Sequence, residues 1–161
     1  MNIVQPVSKL IAQDPKVVIS IGTSMPTVKL INQFFEQGYF GTRFFGIDST
    51  FLAKEILHYK GAPLRFTSSV PDPITSQIPL AQNYRKHLTQ YFPDQDHSIL
   101  SFAYYASAAI LCTALMQSHM PLANSDIITH IESLKKSSIQ GFQIDFDPSN
   151  RHVFGKKIWL I

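Results

Sequence analysis

A single cysteine, Cys112, leaves this chain without an internal disulfide and without a cysteine-based zinc site. It sits in the apolar run Ala108-Ala109-Ile110-Leu111-Cys112, which predicts a small buried core residue and not a reactive thiol. Charge is scarce too. Only 16% of residues are charged, with 14 basic against 11 acidic, a net charge of +3. The densest basic pairs, Lys135-Lys136 and Lys156-Lys157, suit solvated element ends, and no basic stripe exists to hold a nucleic acid. Glycine is sparse, and none of it forms a phosphate loop, a dinucleotide fingerprint or a nucleophile elbow. The six histidines, at 58, 87, 97, 119, 130 and 152, never fall three or four residues apart. No metal, cofactor or enzymatic chemistry is therefore expected. The start, Met1-Asn2-Ile3-Val4-Gln5-Pro6, has no charged lead-in to an apolar stretch, and no apolar run of about 18 residues stands out. On this reading no signal peptide and no membrane span are expected.

What the chain does have is apolar residues, 45% of its 161, enough to bury the core of one ordinary domain but too few residues for two full ones. A short helix should end near residue 13, stopped by Asp14-Pro15. Val17-Val18-Ile19-Ser20-Ile21 then reads as a parallel strand covered on both faces. Thr23 or Ser24 can cap a helix with Pro26 in its first turn, where Val28, Ile31, Phe34 and Phe35 recur at helical spacing until Gly38. A second strand is predicted over 42–47, a cap at Asp48-Ser49-Thr50 and a helix over 52–59, closed by Gly61. This alternation is the mark of right-handed crossovers in a parallel α/β sheet, whose ligands gather beyond the carboxyl ends of the strands.

Residues 64–70 form a further extended run, and Pro71-Asp72-Pro73 suits a hinge. Helices are predicted over 76–92, with Pro79 in the first turn, and over 98–116. The second should be the most buried helix, with Phe102, Tyr105, Ala109, Cys112 and Met116 on one face. Ser125-Asp126 caps another helix through 134. Two strands, 142–146 and 152–160, follow, joined by a turn at Asp147-Pro148-Ser149-Asn150. Three segments result: an α/β portion over 1–70, a helical portion over 71–140 and terminal strands over 141–161.

Asp48, just past a strand, can meet a ligand ammonium group or cap a helix, and Thr23 and Ser24 carry the same ambiguity. Phe102, Tyr104 and Tyr105 suit a core or a ligand cover. Asp145 and Asp147 share a strand face, an arrangement open to paired carboxylates, yet Pro148 and Asn150 mark a turn flank.

In order along the chain, Val17-Val18-Ile19-Ser20-Ile21-Gly22, Glu36-Gln37-Gly38, Phe44-Phe45-Gly46-Ile47-Asp48, Val70-Pro71, Phe102-Ala103-Tyr104-Tyr105-Ala106-Ser107-Ala108 and Phe146-Asp147-Pro148-Ser149-Asn150 together resemble the Leu/Ile/Val-binding family of type I periplasmic solute-binding proteins, the substrate-binding components of branched-chain amino-acid transporters. The resemblance implies the carboxy-terminal half of such a protein: a parallel sheet of the second lobe plus helices belonging to the first. Such proteins close two lobes on an amino acid or similar solute in the periplasm and deliver it to a transporter permease. On this resemblance Asp48 receives the ligand ammonium, Thr23 or Ser24 touches the ligand, and Phe102 and Tyr105 lie at its aromatic cover. Asn150 stands where the family has a turn glycine. The first half of the family pattern, with its carboxylate-binding groups, is missing, so a homo-oligomer that buries the uncovered apolar surface, by element exchange or otherwise, is expected. A ligand-sensing regulator on the same fold and an oligomeric remnant without ligand binding are the competing readings.

Overall fold

This computed structural model describes residues 4–47, 64–117, 123–134, 137–145 and 157–161. They fall into two compact units, 1–68 with 160–161, and 69–159. The predicted cap at 48–50, the helix over 52–59 and the turn at 147–150 lie outside the described residues.

The first unit opens with helix α1, Val4–Ile11. The turn after it places Asp14 at φ 48, in the left-handed region that Asp tolerates. Strand β1, Val17–Ser20, leads into helix α2, Ser24–Glu36, which Gly38 ends at φ 83. Strands β2, Arg43–Ile47, and β3, Leu64–Ser68, complete a parallel set in the order β1, β2, β3. The last residues add β6, Trp159–Leu160, beside β3. There Phe66 and Ile161 exchange both backbone hydrogen bonds, at 3.0 and 2.9 Å, the pattern of an antiparallel pair.

Val7 and Ile11 of α1, Ile31 and Phe34 of α2, and Val18 and Phe44 of the sheet form the core of this unit. Edge-to-face contact between Phe34 and Phe44, with centroids 5.3 Å apart, fixes α2 on the sheet. Both helices use the same sheet face. Consequently β1 is covered on one side only: Val18 is buried, whereas Val17 and Ile19 are 50% and 70% exposed, which corrects the prediction of a strand covered on both faces.

The second unit is built on helices α3, Pro79–Tyr91, and α4, Ile99–Met116. Helix α3 starts at Pro79, three residues later than the spacing predicted, because proline's fixed φ and missing N–H favour the first helical position. Ser98 caps α4, its hydroxyl accepting from the Ser101 N–H at 3.1 Å. Helix α5, Asn124–Ser133, has Asp126 accepting from the Ala123 N–H at 3.3 Å. Strands β4, Ser137–Ile139, and β5, Phe142–Ile144, pair antiparallel. The core joins Val70, Leu80, Tyr84, Phe102, Ala106, Ile110, Ala114, Leu134, Ile139 and Phe142.

Three expectations need correction here. The strand starting after Gly141 pairs with Ser137–Ile139 before it, through a two-residue turn with Gln140 at φ 50 and Gly141 at φ 82. Two successive positive φ values match the strand twist, so the hairpin closes locally. Helix α4 buries Phe102, Ala106, Ile110 and Ala114, a stripe every fourth residue, and leaves Cys112 and Met116 exposed. It is thus one-sided, and Cys112 is not a core residue. Finally, α4 has 18 residues, none charged, and by length and composition alone is able to cross a membrane; in this structure it packs into the second unit's core.

Candidate functional site

Strands β1 and β2 run side by side in register, Val17 opposite Arg43 and Ser20 opposite Gly46, and β2 continues opposite β3 to Ile47 and Thr67. Parallel strands in register release their following loops at one edge of the sheet. The 21–24 loop therefore leaves beside the carboxyl end of β2, at the edge where open α/β sheets hold ligands. Asp48, predicted to take a ligand ammonium there, lies outside the described residues.

Thr23 is exposed and Ser24 half-buried at the start of α2, and Thr23 makes no side-chain cap bond. What holds this loop is a hydroxyl chain absent from the sequence reading. Thr27, buried in the first turns of α2, donates its only hydroxyl proton to the Thr23 carbonyl at 3.2 Å. The 2.7 Å bond between Ser20 and Thr27 must then run from Ser20 as donor. Strand end, helix and loop are locked in sequence. The only hint in the sequence was Ser20 breaking an otherwise β-branched run. With no acidic residue in its first turn, α2 directs unneutralised N–H groups and the positive end of its dipole to this edge.

Phe102 and Tyr105 belong to the second unit. Phe102 is 0% exposed, packed on Tyr84 with centroids 5.2 Å apart, so it is core and has no surface left with which to cover a ligand. Tyr105 is half-buried, its hydroxyl sharing a 2.9 Å bond with His87 Nδ1 and its ring set edge-on to Tyr84 and His87. Burial raises its phenol above the ordinary value of 10.0. Tyr84 in turn bonds Ser101 and accepts from the Ser98 N–H at 3.2 Å, tying α3 to α4. Tyr104, by contrast, is exposed.

The segment 71–78 is rigidly held. Pro71 and Pro73 are buried, Asp72 accepts from Ile74 N–H and Thr75 Oγ1, both at 2.8 Å, and Arg85 donates to the carbonyls of Pro73 and Ser76 at 2.8 and 2.9 Å.

Two concavities contain none of the predicted residues. One, about 200 Å³, lies among Asp14, Lys16, Tyr39 and Thr42, at the amino ends of β1 and β2 and so at the opposite edge. The other, about 120 Å³, is lined by Ile78, Gly141, Phe142 and Trp159 in the second unit, too small for most ligand pockets. Among the described residues no cluster of His, Cys, Asp or Glu could hold a metal ion.

No protein-family model matches this chain, and no curated protein does. Solved structures do. A possible leucine/isoleucine/valine-binding protein from Rhodopirellula baltica is 26% identical, with a TM-score of 0.76 over 91% of this chain and 40% of its own. An extracellular ligand-binding receptor from Verminephrobacter eiseniae, 16% identical, gives a TM-score of 0.77 over 98% and 45%. The branched-chain amino-acid transporter substrate-binding protein LivJ from Streptococcus pneumoniae, solved with isoleucine, is 16% identical and gives 0.71 over 89% and 40%. The chain thus spans less than half the length of each of these solved relatives. They are binding proteins, not enzymes.

Proposed function

We propose that this chain, which has the type I periplasmic-binding-protein fold, supplies one wall of a cleft that closes on an amino acid or a related small solute for delivery to a membrane transporter in the periplasm. The observation that carries this reading is the common carboxyl edge of β1 and β2, with the 21–24 loop braced by Ser20 and Thr27. On this reading Thr23 and Ser24 contact the solute, and Asp48 meets its ammonium group by a charge-assisted bond. Tyr105 is a further ligand contact on the same proposal. Binding is by closure, without chemistry.

The chain spans 40% of these two relatives, and on this reading the groups that neutralise the solute carboxylate lie in the rest of the fold. Binding by this chain alone is then weaker by several kcal/mol, the value of lost charge-assisted hydrogen bonds. Self-association of copies is part of the same proposal, and the exposed apolar residues of α4 favour it. An assembly that has given up ligand binding is the second reading they support.

Thermal unfolding with isoleucine at millimolar excess tests the proposal. The wild-type chain should be stabilised and an Asp48→Ala variant should not. A shift that survives the substitution removes Asp48 from the site; no shift with any amino acid favours the assembly reading.

A further inference from the structure

We infer that His87 is a positioning residue for Tyr105 and fixes which kind of solute atom that tyrosine holds, an inference that rests on the reading above in which Tyr105 touches the solute. The two residues come from different helices, His87 from α3 and Tyr105 from α4. The Tyr105 hydroxyl lies 2.9 Å from His87 Nδ1, and the rings meet edge to face with centroids 5.8 Å apart. A second ring contact, at 5.5 Å, joins Tyr105 to Tyr84, which is buried and anchored by Ser101 and the Ser98 N–H. Two ring contacts and one hydrogen bond thus hold a side chain that is only half-buried. A tyrosine ordered before the solute arrives spares the entropy that a free one loses on binding.

The bond also has a direction. A phenol is a stronger hydrogen-bond donor than acceptor, and a neutral imidazole carries its acceptor on one nitrogen and its proton on the other. Tyr105 accordingly donates to Nδ1, and the His87 proton sits on Nε2. With its one proton committed to His87, the Tyr105 hydroxyl meets a solute through its lone pairs alone. It can receive an N–H or O–H, as on an ammonium group, but has no proton to offer a carboxylate. Joining the helices is a lesser role for this pair. Tyr84 already ties α3 to α4 through partly buried bonds, and a bond to the exposed His87 competes with water and adds little.

Titration of the whole chain with isoleucine, followed by amide shifts in NMR, reads the solute, and the imidazole nitrogen resonances read the pair. His87→Phe keeps a ring and removes the acceptor, at an exposed position that leaves the fold intact. Isoleucine should then bind roughly fivefold more weakly, the effect of ordering one side chain. Tyr105→Phe should weaken it at least as much, and the double variant no further than Tyr105→Phe alone. His87→Asn, which keeps an acceptor near the place of Nδ1, should retain most of the affinity. Without isoleucine, the His87 Nδ1 resonance should move on Tyr105→Phe. A resonance that stays put overturns the positioning role and leaves the solute reading standing. So does His87→Phe binding like the wild type while Tyr105→Phe binds weakly, or two losses that add. Tyr105→Phe binding like the wild type removes Tyr105 from the site and this role with it. A wild-type chain that binds no isoleucine, with His87 still sensing the Tyr105 hydroxyl, overturns the solute reading itself.

Discussion

Thr27 shows how much a single hydroxyl can organise. It closes a chain from Ser20 to the Thr23 carbonyl, so Thr27→Val should leave both ends without their partner and cost about 1–2 kcal/mol in urea unfolding, while Thr27→Ser keeps most of it. Tyr105 makes a pH-dependent contribution of definite sign. Below pH 10 its phenol is protonated in both folded and unfolded chains and costs nothing. As pH rises through 10.0 the unfolded chain ionises first, since burial holds the folded phenol higher, and stability falls until the folded value is passed. Tyr105→Phe should therefore lose less stability between about pH 9 and pH 11 than the wild type, measured by urea midpoints. Residue roles were the least legible layer of the sequence. Phe102 fits core better than ligand cover by composition, yet an aromatic on an apolar helix gives the same signal in either place, and its burial against Tyr84 shows it in the core.

Secondary-structure elements were far more legible, and the failures have physical causes. Strands β1 and β2 and helices α2 and α4 follow from β-branched runs, helical spacing and caps that operate locally. The hairpin of β4 and β5 escaped notice because Gln140-Gly141 lacks the Asn-Gly or Asp-Gly signature of its turn. Gly141 is nonetheless indispensable there. At φ 82, an added Cβ would stand 3.0 Å from Pro79 Cδ and 3.3 Å from Ile78 Cβ. Gly141→Ala should cost about 1–3 kcal/mol and lower the melting temperature by several degrees. The buried side of α4 was misplaced for a related reason. A helix rich in apolar residues all round has no periodic contrast, so spacing cannot say which stripe faces inward.

At the scale of the molecule, the order of strand, helix and strand foretold the parallel sheet and its carboxyl edge, since right-handed crossovers leave few other topologies. The division into two cores was less visible, because residues such as Val70 and Ile139, far apart in sequence, meet only in the folded second unit. The two cores share no member. Phe34→Ala should thus remove about 3–5 kcal/mol from the first and lower amide protection there by hydrogen exchange, with the α3 and α4 amides retaining theirs. The clamp of Arg85 on Pro73 and Ser76 lies wholly within the second unit. With 71–78 tied to α3, this proline-rich stretch is part of the second unit, and the chain passes between the units at Ser68 and Ser69 and again at Trp159 and Leu160. Removing the Arg85 guanidinium would therefore loosen the start of the second unit and leave the sheet of the first untouched.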